Sequence, residues 1–473
     1  MQHERPPETR TPRGPRRVGI LSPGTSEFDS RAQRIARSLV ALGDTVTIYS
    51  RRRPGLPREE TLDGYRIVRI PLDRADARAE HSADAAGTAD ASGTTDASGT
   101  AGAGPVGRPA RSAGGAQGRV RQVQVRAWDL ARGGYWTWHR WSDRVAVIHR
   151  FRNFPVRPIT WGRRFAASDR VEPHDIWHGM WAGSLPMLQR VRRRHGGATV
   201  YDPRDVFLRS RIYASMPTWQ RRILTRIERH WAREADAVIQ VSEPYAAMMQ
   251  RDLELTDVPI VRNCPDRWDP PDPRPDRIRQ ALGIEPDIRI VLYQGGLLVD
   301  RGIEQSMDAI LDVPGAVLVL MGFGNQEARF RQMAASPMYS GKVHVIDAVP
   351  PSELLWWSAS SDVMVMLYQP HTENHQYVTP QKLWEAMAAG VPVVASDLPG
   401  LASVVEPVGC GVLCDPTSPV AIADALRTIL AGGTQGLREM GDRGHAAAHD
   451  RYNWEVQFQV LDDVYYRLMA EHP

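Results

Sequence analysis

The 473 residues are enough for two domains, and with 24% charged and 42% hydrophobic residues most of the chain should fold as a globule. A net charge of +4 and a pI near 9.0 suit an anionic small molecule or an acidic lipid surface and give no reason to invoke nucleic acid. Three cysteines (Cys264, Cys410, Cys414) argue against a disulfide framework and fit a reducing, cytoplasmic setting, and no apolar run approaches the ~20 residues of a spanning helix.

Residues 1–16 are rich in Arg and Pro, lack an apolar core and read as a disordered tail without a signal peptide. Arg17–Leu21 reads as a buried strand, Ser30–Leu42 as a helix stopped by Gly43, and Thr45–Tyr49 as the next strand, which makes a βαβ unit. Tyr65–Ile70 adds a strand. From 73 to 118 the chain is Ala, Gly, Thr, Ser and Asp with almost no large apolar residue, the composition of a disordered insertion.

Segment 119–165 interleaves Trp128, Trp136, Trp138, Trp141 and Trp161 with arginines. Two readings fit it. One is a helical cap whose indoles serve as core, favoured by the lack of a clean amphipathic period; the other is peripheral contact with an anionic bilayer. Strands follow at Asp175–Trp177, Ala198–Tyr201 and Ala237–Val241, with a basic helix around Thr218–Ala235, and Val258–Asn263 closes the first half at 264. Residues 265–275, dense in Pro and Asp, read as a linker.

Beyond the linker, alternation restarts over 276–451. Strands are predicted at Ile288–Tyr293, Ala316–Met321, Lys342–Ile346, Val363–Leu367 and Val391–Ala395, with helices such as Gly302–Asp312 and Ser352–Ser360 between them. The fold class is therefore α/β, two Rossmann-like domains facing a central cleft. A last helical segment lies within 452–473.

The stretch from Thr379 to Gly400 carries the chemistry. Thr379 is placed to cap a helix, Pro380 suits its first position, and Gly390 stops it before a buried strand. The opening turn favours an anion, and Lys382, one of only two lysines in the chain, adds a charge there. Glu385, acceptor only, suits the vicinal hydroxyls of a ribose. At the end of Ile288–Tyr293, Gly295 and Gly296 let a phosphate approach the backbone, and Arg301 offers it a forked contact.

Glu385-Ala-Met-Ala-Ala-Gly-Val-Pro-Val resembles the donor motif of the retaining glycosyltransferases of family 4 (group 1 glycosyltransferases), which have the GT-B fold. That motif begins with another Glu eight positions earlier, and Tyr377 stands there instead. The resemblance implies that Arg301 and Lys382 stabilise the leaving diphosphate. It also implies that Gly322 and Gly324 line the base pocket, with Asp347–Pro350 reaching the base, and that the last helix, Trp454–Met469 within 452–473, crosses back to the first domain. Gly24 would belong to a loop near the transferred sugar. His178 matches the first His of a family loop whose second His and Asp are Met180 and Trp181 here, giving a third candidate catalytic group. Asp29 and Arg31 match a subgroup pattern, with helix capping the plainer role for Asp29. Asp202, Arg204 and Asp205 sit at a strand end as acceptor-side candidates.

The implied activity moves a sugar from a nucleotide-diphosphate sugar, a co-substrate with no further cofactor, to a hydroxyl acceptor that a lipid could carry. It would act in the cytoplasm or at the inner membrane face. With no Asp-x-Asp in the chain, no metal is expected at the diphosphate. Two alternatives stay open: a nucleotide-sugar epimerase or hydrolase, and a non-catalytic partner that keeps the nucleotide fold.

Overall fold

A computed structural model of the protein describes residues 14–24, 29–53, 55–72 and 146–471. The expected insertion at 73–118, most of the Trp/Arg segment (119–145) and most of the tail lie outside these residues. Two sheets organise the molecule. The first runs in the order β3-β4-β2-β1-β5-β6-β7, built from Arg17–Ser22 (β1), Thr45–Arg51 (β2), Glu59–Leu62 (β3), Tyr65–Ile70 (β4), Ile176–Met180 (β5), Ala198–Asp202 (β6) and Ala237–Val238 (β7). All pairings in it are parallel except the β3–β4 hairpin. The second, wholly parallel, runs β10-β9-β8-β11-β12-β13, from Arg289–Gln294 (β8), Ala316–Met321 (β9), Val343–Ile346 (β10), Val363–Met366 (β11), Val393–Ser396 (β12) and Gly411–Cys414 (β13). Strands buried on both faces must be apolar nearly throughout, and Ala316–Met321 is buried at every position.

Strand order reverses between β1 and β5 in the first sheet and between β8 and β11 in the second. These reversals open crevices outside the carboxyl ends of the strands. The loops after β8 and β11 carry Gly295, Arg301 and Tyr368 to that edge of the second sheet.

Two local expectations are corrected, Arg16 and Val258–Asn263, and other features agree with or add to the reading. Arg16 is not tail: its guanidinium bonds Asp44 and Asp462, and it is buried. Val258–Asn263 forms only an isolated bridge between Ile260 and Gln240. Hairpin strand β3 is exposed and polar, so no apolar run betrays it. Trp161 is core: the helix Arg157–Ala167 buries it with Phe165 against the first sheet's helices. All three cysteines are free and buried.

The helix Trp454–Glu471 belongs to the first domain by packing. Trp454, Leu461, Val464, Tyr465 and Leu468 share one apolar cluster with Val18, Ile20 and Ile35. Polar contacts fix its register: the Trp454 indole N–H donates to Ser38 Oγ (2.8 Å), and the Tyr465 hydroxyl meets His178 Nδ1 (2.8 Å). His178 Nε2 faces Asp202 (3.3 Å), which also pairs with Arg31 at 2.6 Å, and none of the three is exposed. Burial alone would push the Asp202 carboxyl up, but Arg31 and His178 outweigh it and hold it below the usual range. Its stabilising contribution is therefore present at neutral pH and lost only in strong acid. Asp202→Ala leaves Arg31 buried without a counter-charge and should cost about 3–5 kcal/mol, measured by urea unfolding at pH 7.

Candidate functional site

The helix Gln381–Ala388 is short, yet everything from Lys382 to Ala388 on it is buried. It ends in a Schellman-type turn: Gly390, at φ +61°, donates to Met387 O and Val391 N donates to Ala386 O. Its start differs from expectation. Pro380 occupies the cap position without a side-chain bond, and Thr379 caps nothing; its buried hydroxyl has no partner among the described residues and lines the interdomain cleft.

Glu385 is buried and held by two amides. Gln294 Nε2 donates to one carboxylate oxygen (2.5 Å) and Gln381 Nε2 to the other (2.7 Å). Burial pushes its pKa up, and these bonds, with Arg34 and Lys382, pull the other way. The chain of bonds continues in both directions. Gln294 Oε1 accepts from Ser358 (2.6 Å), while Gln381 Oε1 accepts from Asn263 (2.8 Å), whose own oxygen accepts from Arg34 of the first domain (3.0 Å). Sequence reasoning missed the two glutamines, which matter only because the fold brings β8 and Pro380–Gln381 onto the carboxylate.

Lys382 lies one turn before Glu385 but is not bonded to it. Its ammonium sits 4.0 Å from the Tyr293 ring centre and 5.6 Å from that of Tyr368, with no hydrogen bond to protein among the described residues. Arg301 lies 4.5 Å from the Tyr368 ring centre, and its Nη1 is 3.3 Å from His375 Nε2. Two cations thus converge on one aromatic ring, a geometry suited to a doubly charged anion.

The glycines shape the neighbouring cavity. Gly295, Gly296 and Gly322 line a hollow of about 310 Å³ with Lys382, Glu385, Phe323 and Val349. Gly322 must be glycine, since a Cβ there would sit 1.9 Å from Gly295 O. Gly324 likewise allows its loop to close on Leu297 O. Of the loop predicted to reach a base, Ala348 and Val349 line the hollow, whereas Asp347 turns away to pair with Arg331.

On the opposite side of Tyr368, Pro380 and Gln381 a second hollow of about 450 Å³ lies between the domains. It is lined by Arg204, Asp205, Tyr245, Arg301, Asn374 and Thr379, among others. Asp205 faces it with a buried oxygen that has no partner among the described residues, and desolvation pushes its pKa up to about 6 against the pull of Arg204. Asp29 caps the helix Ser30–Ala41 through Ala32 N and pairs with Arg204 at 2.8 and 3.0 Å. The expected candidates His178, Arg31 and Asp202 are not at this surface. They form the fully buried cluster described above, so the structure makes His178 a core residue with both ring nitrogens engaged. Gly24 lies just after β1, its carbonyl accepting from Arg51 N.

Tyr377, where the family motif has its first Glu, packs against the apolar cluster of the first domain. Its neighbours reinforce that docking. Arg209 bonds Glu373 (2.7 Å) and Asp252 (2.7 Å), Tyr245 donates to Asn374 O (2.6 Å), and Arg211 meets Asp300 (3.1 Å). The motif's altered end is thus an interdomain contact.

Residues 275–445 match the family model of the glycosyl transferases, group 1. D-inositol 3-phosphate glycosyltransferase of Xylanimonas cellulosilytica is 30% identical over 201 residues, which cover 41% of this chain and 46% of that relative. The chain therefore spans about half the length of the curated relatives it matches. Among solved structures, sucrose-phosphate synthase of Thermosynechococcus elongatus superposes with a TM-score of 0.68 at 18% identity, covering 96% of this chain and all (100%) of that one. Anabaena HepE, solved with UDP and glucose, gives 0.60 at 14% identity over 96% and 100% of the two chains. At these identities the likeness establishes the fold: GT-B, two Rossmann-like domains.

Two outcomes are expected. Burial, with Arg301 acting the same way and Glu385 opposing, lowers the Lys382 pKa to about 7 from 10.5. Between those values the unfolded chain binds a proton that the folded chain lacks, so stability rises with pH across that window. Lys382→Met should raise the neutral-pH melting point and weaken nucleoside-diphosphate binding by about ten-fold or more, seen by calorimetric titration. Arg209→Ala should widen the mean domain separation, read as a larger radius of gyration in small-angle scattering. The bond to the part-exposed Glu373 is worth no more than about 1 kcal/mol.

Proposed function

We propose that the protein is a retaining glycosyltransferase that moves a sugar from a nucleotide-diphosphate sugar to an acceptor hydroxyl, on the cytoplasmic side. The observation that carries this reading is the convergence of Lys382 and Arg301 on Tyr368 beside buried Glu385. All of these lie inside the segment that matches the group 1 model.

In this reading the diphosphate lies between the two cations. The ribose hydroxyls meet Glu385, whose orientation Gln294 and Gln381 fix in advance. The base enters the hollow closed by Gly295, Gly296, Gly322 and Gly324. The transferred sugar and acceptor take the interdomain hollow, where Thr379, Asn374 and Asp205 offer unpartnered polar atoms. No protein nucleophile is required: the departing diphosphate oxygen takes the acceptor proton on the face of attack. The protein supplies charge stabilisation and positioning. Arg301 and Lys382 carry the charge that develops on the leaving group, so the proposed chemistry needs no divalent metal.

Titration of UDP, GDP and dTDP into the protein and into Glu385→Ala tests this. One nucleotide should bind saturably and at least ten-fold less tightly to the variant, and its sugar conjugates should then be turned over in the presence of a chelator. Absence of binding by folded protein would overturn the donor site; turnover that only Mg²⁺ or Mn²⁺ restores would overturn metal independence.

A further inference from the structure

The first domain carries an exposed surface that the proposed reaction does not use. The helix Thr218–Ala232 buries Gln220, Leu224, Glu228 and Trp231 and turns Trp219, Arg222, Ile223 and Arg226 outward, at spacings that place them on one face. Trp219 is 54% exposed and Ile223 39%. Beside it run the helical residues 146–151 and the wide turn Arg152–Val156, where Ile148 (66% exposed), Arg152 and Val156 (54%) point outward four residues apart. The two segments touch: Gln220 Nε2 donates to Val147 O (3.2 Å), and the Phe151 and Trp219 rings lie 6.3 Å apart. Apolar side chains and arginines therefore alternate across one continuous patch.

Its charge is one-sided. Residues 146–156 and 218–232, which form the patch, hold six arginines, of which Arg150 is buried and Arg229 pairs with Glu254, and a single carboxylate, Glu228, which is buried and accepts from the Tyr201 hydroxyl. Among the described residues, Arg152, Arg222 and Arg226 form no ion pair. We infer that this patch docks the enzyme onto an anionic lipid bilayer. Arginines would meet headgroup phosphates while Ile148, Val156, Trp219 and Ile223 enter the interface.

The composition selects this occupant. A nucleic acid would take the arginines but has no use for exposed Ile and Val side chains. The chain's own segment 119–144 has six arginines against two aspartates, so its charge repels the patch rather than complementing it. Position agrees as well. Arg211, which reaches Asp300 across the cleft, lies only a few residues before the helix, so the patch borders the cleft mouth. An acceptor held in the bilayer would be presented there.

The test is co-sedimentation of the full chain with vesicles of phosphatidylcholine alone and of equal parts phosphatidylcholine and phosphatidylglycerol. Binding should require phosphatidylglycerol and weaken with salt. It should fall on the order of ten-fold or more in both Trp219→Ser/Ile223→Ser and Arg222→Glu/Arg226→Glu, all of them surface positions. Unchanged melting points and nucleotide affinities would show the variants folded. Failure to bind anionic vesicles, binding indifferent to both variants, or a stronger preference for a single-stranded RNA homopolymer would each overturn the inference, whatever the fate of the proposed donor site.

Discussion

Everything in the second domain's cleft depends on burying opposite charges one turn apart without letting them neutralise each other. Lys382 and Glu385 are both buried on the helix Gln381–Ala388, and a direct pair would leave neither free for a ligand. The fold separates them by giving each its own partners. One amide N–H holds each oxygen of the carboxylate and leaves further acceptor capacity on both, and two aromatic faces receive the ammonium. Desolvation is the cost, visible in the lysine's lowered and the glutamate's raised pKa. A diphosphate bound as proposed would lower that cost and so favour the protonated form of Lys382.

The surrounding architecture serves that helix. Strand reversal at β8 and β11 brings Gln294 and Tyr368 to one edge, and the Gly322–Gly295 contact lets two loops close to a distance no side chain would permit. Asn263 then carries the hydrogen-bond chain from Gln381 to Arg34 in the first domain. The position of the Glu385 carboxylate is thereby tied to the relation between the domains.

Much of this was legible in the residues. Buried parallel strands announce themselves as apolar runs, and the helix mouth with Lys382 and Glu385 is a local pattern. What escaped was non-local. Gln294 and Gln381 look like ordinary polar residues until tertiary contact aims them. Thr379 reads as a cap, but Pro380 displaced the cap by one position. His178 shares a strand end with cleft residues, yet the crossing C-terminal helix covers it, a contact 287 residues away in sequence. Arg16 seemed part of a tail because its partners, Asp44 and Asp462, come from distant elements.

Arg209 shows how two such domains can part cheaply. It holds Asp252 of its own domain and Glu373 of the other at equal distance. When the lobes separate, the guanidinium keeps one carboxylate, and the carboxylate it releases is already 41% open to water. Neither charge is stranded in a low-dielectric interior, so the fastener can be undone and remade without a large barrier of its own.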